Sequence, residues 1–486
     1  MTATAAADSA PTPGAPTNAT RLFIISVLAL VTAGMAFSLR TGIANDLKTD
    51  FLDGIDAANS AAMLGSVLGI SFLGFAFTIA IASPLLDVIG MGRLLVLSAL
   101  CFISGGALIE TTPHNASAYT WLYVGCLLSG MAWGLVETVI NPLIATLYAR
   151  DKTTKLNHLH AWWPAGLVIG GVIGQAIGAA GIDWQGKYAV LFAPAAIFGL
   201  LALITPFPRS ERAAAGVSGA AMFAQLPRPL FIIFFCCMFL TAAAELAPGQ
   251  WVDFALSRTV GMRGIWLQVY VSVLMFVMRN VAGALAHRLS PVGVLWTSCL
   301  LAAVGLVALA KADSPATGLL AATIWGTGVC FLWPTMLAAA SERFPKGGAL
   351  LMGLMGTAGT TSIWFFLPRM GAIYDTVKLA LANGQDPGQP VALMLAAIRD
   401  GVLSILASVH LASPPVPTNA DPAAFNNLTA AAAHDPAAAA KLDGILAAAA
   451  QMSFEAMAVL PAALLIVFGA IWFYDRMRGG YKPEKI

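Results

Sequence analysis

The sequence predicts an all-α polytopic membrane protein with twelve transmembrane helices in two six-helix bundles. Three observations carry that prediction. Of the 486 residues, 58% are hydrophobic and 10% charged, and the mean hydropathy is +0.79, whereas charged residues make up about 25% of soluble domains. Apolar segments long enough to cross roughly 30 Å of hydrocarbon recur about twelve times. A polar linker then splits the series into six and six.

The elements follow in order. Residues 1–20, MTATAAADSAPTPGAPTNAT, have neither a positive n-region nor an apolar core, so they read as a disordered tail and not a cleaved signal. The predicted spans are 22–46, 59–86, 93–112, 119–148, 158–181, 188–206, 229–254, 264–288, 293–311, 316–341, 348–370 and 454–475. They compose an N-terminal bundle over 21–206, a cytoplasmic linker over 207–228 with Arg209, Arg212 and Arg228, and a C-terminal bundle over 229–476; a cytoplasmic tail, 477–486, follows. Six helices, a linker and six helices suggest a duplicated half. A local match supports it: SPLLDVIGMGRLLVLS (83–98) and GALAHRLSPVGVLWTS (283–298) each join neighbouring helices by a very short turn.

Basic residues set the expected orientation. With both termini cytoplasmic, the inner segments hold Arg21, Arg93, Arg150, Lys152, Lys155, Arg209, Arg212, Arg228, Arg288, Arg343, Lys346, Arg476, Arg478, Lys482 and Lys485, and the outer ones far fewer. Residues 371–453 break the symmetry of the halves. PVALMLAAIRDGVLSILASV has a helical period and could be taken for a span, but an extra crossing would put the basic tail on the wrong side. The segment is therefore expected as a periplasmic insertion of short surface helices joined by the Pro-rich SPPVPTNADPAAF. All six cysteines lie in apolar runs and read as small core residues without disulfides.

No metal-spaced His/Cys/Asp set, P-loop, dinucleotide fingerprint or hydrolase elbow is present in the sequence, so neither an enzyme nor a metal or cofactor is expected. The glycines of GLVIGGVIGQAIGAAG (166–181) read as close helix packing. With no ATP-binding segment, uphill movement of a solute would draw on an ion gradient.

The intramembrane ionisable residues are few. Trp133, Glu137 and Asn141 are spaced i, i+4, i+8 and share one helix face, which must point into protein or a water-filled cavity because a carboxylate facing lipid is costly. Glu137 is the proton-site candidate, with a structural carboxylate as the plainer alternative. Glu245 lies beside a Pro-Gly break in AAAELAPGQW, where it could bind substrate or be structural. Arg279, followed by Asn280, needs a buried partner; a salt bridge is the plain expectation and anion binding the sharper one. Arg40, Asn45 and Asp46 lie in the outer part of the first span. Trp133, Asn141, Trp162, Trp163, Gln175, Gln250, Trp251, Gln268, Trp325, Trp333 and Trp364 offer flat apolar faces and bidentate amides, which suit polyhydroxylated rings. His158 and His160 could respond to pH, though a spacing of two turns them to different helix faces.

Taken together, the layout, ANDLKTDF (44–51), GLVETVINPLIATL (134–147) and LNHLHAWWPAG (156–166) resemble the major facilitator superfamily, specifically its fucose and glucose/galactose proton symporter branch. The resemblance implies that Asp46 and Glu137 serve sugar binding and proton coupling. The family's loop between the second and third helices is only partly kept: Ser83 and Val88 replace its Gly and Arg, while Asp87, Gly90 and a displaced Arg93 remain. Asp87, Arg93 and His160 are the gating candidates.

The expected function is proton-coupled import of a monosaccharide or similar small polyol across a bacterial inner membrane, by a monomer that binds no nucleic acid. The alternative is an exchanger or exporter of an organic anion or amphiphile, with Arg40 and Arg279 as counter-charges. A transporter-like receptor, whose outer segment binds protein, is the reading from another class.

Overall fold

Because backbone amides cannot find water inside hydrocarbon, the apolar runs close their hydrogen bonds within helices. The computed structural model describes residues 18–56, 60–256, 260–261, 265–408 and 423–485, and they are almost entirely helical. In the first half these are α1 (Ala19–Gly42), α2 (Ser60–Ile89), α3 (Met91–Glu110), α4 (Ala118–Leu147), α5 (Lys152–His160), α6 (Trp162–Ala179), α7 (Trp184–Ala189) and α8 (Phe192–Ile204). α5 and α6 are the two parts of one broken span, as are α7 and α8. The second half opens with α9 (Pro229–Leu256). A continuous stretch Ile265–Ala310 follows, which turns a corner at Ser290 and so gives α10 (265–289) and α11 (291–310). Then come α12 (Pro315–Val329), α13 (Leu332–Arg343), α14 (Gly348–Ala382), α15 (Pro390–Ser408), α16 (Ala423–Ala432), α17 (Pro436–Met457) and α18 (Val459–Met477).

The two matched turns have matched geometry. Gly90 ends α2 with φ 97° and ψ 139°, and Ser290, its equivalent in the sequence match, has φ 66° and ψ 161°. Both halves thus turn from their second to their third span on one residue of positive φ, a conformation that suits glycine and strains serine.

Small residues let the helices of a half approach closely. A Cβ on Gly130 would lie 2.0 Å from the Ser71 carbonyl oxygen where α4 crosses α2, and one on Gly166 would lie 2.5 Å from that of Val31 where α6 crosses α1. That is the packing expected of the 166–181 glycines, though nothing lies near Gly171.

The described contacts that tie the halves together by hydrogen bond gather toward one end. Thr153 donates to Glu342 at 2.8 Å, Asn157 to Thr335 at 3.2 Å, and Lys152 to the Ser341 carbonyl at 3.3 Å. The linker joins in: Lys152 pairs with Glu211 at 2.7 Å, and Arg212 pairs with Asp87. The linker and both described chain ends lie at this same end, since Asn18 donates to the Pro206 carbonyl and Arg228 forks onto Glu484. Tyr481 adds a hydrogen bond to Glu342 at 2.8 Å.

At the opposite end, α14 does not stop at residue 370 as expected but runs on to Ala382. α15 returns alongside it, and a Cβ on Gly401 would lie 2.3 Å from Arg369 Nε. α16 and α17 complete the insertion, while the Pro-rich link falls largely in 409–422, outside the described residues. Twelve helices among the described residues are long and apolar enough to cross a membrane, a set that includes Pro390–Ala407 and reduces α10 to Val269–Val281. Yet α10 packs against α5, α6 and α12 inside the bundle, whereas among the described residues α15 packs mainly against α14 and α17 and exposes Val391, Leu395, Val402 and Ile405. All six cysteines are free; Cys236, expected in the core, is exposed on the outer face of α9.

Candidate functional site

Two helix breaks build the centre of the molecule. Proline cannot donate to the carbonyl four residues earlier and crowds it. Pro164 therefore frees the His160 carbonyl at the α5/α6 break, and Pro334 frees the Cys330 carbonyl at the α12/α13 break. Arg279 of α10 takes up both: its Nη1 donates to His160 O at 2.8 Å and its Nε to Cys330 O at 2.5 Å. Its remaining nitrogen, Nη2, donates to Glu245 Oε1 of α9 at 3.0 Å. The buried guanidinium is thus bound on all three of its nitrogens, and one of those bonds crosses between the halves.

In the first half, Asn141 Nδ2 donates to Glu137 Oε2 at 2.6 Å, and its Oδ1 meets His160 Nε2 at 2.8 Å. An amide oxygen only accepts, so the hydrogen of this pair belongs to His160 Nε2. The same nitrogen lies 3.9 Å from Glu137 Oε2. A connected path therefore runs Glu137, Asn141, His160, Arg279, Glu245, from a carboxylate of one half to a carboxylate of the other.

Glu137, His160, Glu245 and Arg279 border a cavity whose empty space, counted out into open solvent, is about 600 Å³. Its polar lining is Glu137, His160, Glu245, Arg279 and Thr360; aromatic faces come from Phe37, Phe72, Trp133, Trp163 and Trp333, with Leu246 and Ile363 filling the rest. Trp133 and Trp163 stack at 5.9 Å and 13°. Among the described residues, Glu245 Oε2 and the Trp133 and Trp163 indole nitrogens are buried without a hydrogen-bond partner, so the cavity offers an acceptor and donors among ring faces.

The remaining candidates lie elsewhere. Asn141 stands behind Glu137 and orients it. Trp162 packs edge-on against Phe276 at 5.5 Å, turned away from the cavity because its neighbour Trp163 takes the inward face. Gln175 is exposed on α6, and Asn280 is exposed with its carbonyl 3.0 Å from His158 Nε2. Trp325 is 2% exposed, held by its indole nitrogen 3.4 Å from the Ala244 carbonyl, and Trp364 is 55% exposed on the outer face of α14. Asp46 sits in a short helix beyond α1 and does not line the cavity. The side chains of Asn45, Gln250, Trp251 and Gln268 lie outside the described residues.

The gating candidates change partners. Asp87 is bound by Arg212 and Ser210 of the linker, and among the described residues Arg93 donates to the Ile89 carbonyl, because its displacement past Gly90 turns it outward. His160 belongs to the central path and not to the closed end. Sequence reasoning missed Phe37, Phe72, Arg212 and the two prolines. The visible signal for the prolines was a Trp-Pro pair in each half, Trp163-Pro164 and Trp333-Pro334.

The architecture is shared with known proteins. The chain is similar to the proton:xylose symporter XylE from E. coli, solved with 6-bromo-6-deoxy-D-glucose, at 14% identity over 81% of this chain and 95% of that one, TM-score 0.64. It is also similar to the E. coli fucose:proton symporter FucP (18%, 80% and 98%, TM-score 0.59) and the human organic anion transporter MFSD10 (13%, 93% and 100%, TM-score 0.61). At these identities the likeness is one of fold. No curated protein sequence matches the chain. A model of the Major Facilitator Superfamily matches residues 22–368, from α1 into α14. Matched over most of its length and built on the same fold, the chain belongs to the Major Facilitator Superfamily.

Proposed function

We propose that the protein is a proton-coupled symporter that imports a monosaccharide or similar small polyol by alternating access, with Glu137 as the proton site. The observation that carries the proposal is the central cavity. It combines stacked ring faces for an apolar sugar face, a free acceptor and free donors for hydroxyls, and a carboxyl group that accepts from the Asn141 amide. Named sugar and proton substrates of XylE and FucP agree with this reading.

The closed end, with the linker, both termini and the basic residues, is placed in the cytoplasm, so the cavity is reached from outside. Substrate would enter there and meet the indoles and Glu245, while Glu137 takes a proton. Closing the outer side and parting the Lys152, Thr153 and Asn157 contacts would release both inward. Organic-anion exchange finds less support. Arg279 is already bound on every nitrogen, Arg40 does not line the cavity, and two carboxylates there would repel an anion.

The test is uptake into liposomes under an imposed pH gradient, after a thermal-shift screen of neutral sugars, polyols and carboxylates. Gradient-driven accumulation of a neutral sugar is expected. Tight binding of carboxylates with none of sugars would overturn the substrate class.

A further inference from the structure

We propose that Arg279 is the positioning residue through which the second half reads the state of Glu137 in the first, by holding the His160 carbonyl beside the Cys330 carbonyl and Glu245. The inference rests on the proton-coupled reading of the cavity and adds the device that joins the proton site to the motion. Nothing in the likeness to other transporters supplies it. It follows from two prolines, each four residues past a carbonyl, and from three distances at one guanidinium.

The chemistry runs along the path. With Glu137 ionised, Asn141 turns its amide nitrogen to the carboxylate and its oxygen to His160 Nε2. A proton on the Glu137 oxygen facing Asn141 makes that oxygen a donor. Asn141 must then present its own oxygen there and its nitrogen to His160, which was donating to it. The histidine must move or change tautomer. Its carbonyl has no helical donor behind it, because residue 164 is proline, so the carbonyl moves with the residue and the bond to Arg279 weakens. That bond crosses the halves. Protonation on one side thereby loosens the grip on the other, a differential contact of the kind a population shift requires.

The titratable groups facing Arg279 are Glu137 from α4, His160 from α5, Glu245 from α9 and Cys330 from the α12/α13 break, with His158 of α5 alongside at Asn280. Lysine could keep the pair with Glu245 but has no fork to span both carbonyls. Alanine at 164 would restore an N–H that reclaims the His160 carbonyl for its own helix.

The experiment uses the full chain in liposomes, with exposed Cys236 replaced and spin labels at Ala116→Cys and Ala316→Cys, which sit at the outer ends of α4 and α12. Distances between the labels are measured at about pH 5 and about pH 8, a span that reaches into the range to which burial raises a carboxyl group. The unmodified network should shift its open and closed populations between the two. Pro164→Ala and Arg279→Lys should each reduce that shift at least about five-fold, the low end of a usual coupling energy. The ratio of pH-driven accumulation to counterflow, probed with D-glucose and L-fucose, should fall in step. If Arg279→Lys does not fold, Pro164→Ala decides. A shift unchanged in Pro164→Ala overturns the pin and leaves proton coupling standing. No shift in the unmodified network overturns both.

Discussion

Replacing Glu137 with glutamine isolates the coupling step. The substitution keeps the shape and leaves an oxygen to accept from Asn141 Nδ2, which sits 2.6 Å from Oε2. What is lost is the charge-assisted part of one bond, about 1 kcal/mol, and the capacity to titrate. The proposed substrate contacts at the indoles and Glu245 lie outside this substitution. One pH unit is worth about 1.4 kcal/mol per proton, so a single coupled proton limits accumulation to about ten-fold per unit and two protons to about a hundred-fold. Glu245 is ion-paired with Arg279 while the hydrogen bond to Glu137 comes from the Asn141 amide, so the proposed coupling uses one acid. In liposomes with a one-unit gradient and the membrane potential clamped to zero, about ten-fold accumulation is expected before the change. Glu137→Gln should bring it to about one while counterflow persists. Ten-fold accumulation by Glu137→Gln would remove Glu137 as the coupling site, and a hundred-fold ratio in the starting protein would refute the single-acid count.

Other consequences concern packing, strain, the tail and sidedness. Gly130→Ala forces α2 and α4 apart by about 1 Å, since its new Cβ would lie 2.0 Å from the Ser71 oxygen; a loss of about 1–3 kcal/mol is expected in detergent unfolding, and an unchanged midpoint would refute the close crossing. Ser290→Gly relieves a positive φ but forfeits the Ser290 hydroxyl's bond to Gly293 N at 3.3 Å, so a net gain of about 1 kcal/mol is expected, with a net loss as the contrary result. The hydrogen bond from Arg228 holds the Glu484 carboxyl below the usual range. Its stabilisation of the tail is present above the unfolded value of about 4.3 and lost as pH falls through the lower folded value. This half-exposed pair contributes less than about 1 kcal/mol, so proteolysis of the tail should quicken below about pH 4, and a tail equally protected there would refute the clamp. A cysteine at exposed Lys441 should react with an impermeant maleimide in intact cells, whereas labelling only after lysis would invert the orientation.

The fold was legible because lipid imposes a coarse rule. Runs of about twenty apolar residues must be helices, and the split at 207–228 exposed the duplication. The match of 83–98 with 283–298 even placed Gly90 opposite Ser290, the two residues that turn the corner. Apolarity alone could not set α15 apart from α10. PVALMLAAIRDGVLSILASV is as apolar as a span, and only its packing against α14 and α17 takes it out of the bundle. The run-on of α14 to Ala382 was hidden for the converse reason, since Pro368 and Gly371 signal a helix end near residue 370 and the helix continues past both.

The site was legible where helix spacing determines direction and illegible where the partner comes from another helix. Trp133, Glu137 and Asn141 could be placed on one face by counting, and the hydrogen bonds follow that face. The tryptophans could not be sorted, because a ring that lines a cavity and one that faces lipid have the same composition: Trp162 and Trp163 are adjacent, yet only the second enters. Arg279 was expected to need a carboxylate or backbone partner and has both, but the sequence could not say which carbonyls, since every residue possesses one and no residue type marks it. The mark lies four positions later, in the proline that leaves each carbonyl without a donor. A buried arginine and intramembrane prolines are thus better interpreted together. Each proline removes a bond that its helix would have made, and in a medium without water the freed carbonyl must be met by a donor from elsewhere. One guanidinium meets two such carbonyls here, and because they belong to different halves, the local defects of two helices become a contact between the moving parts.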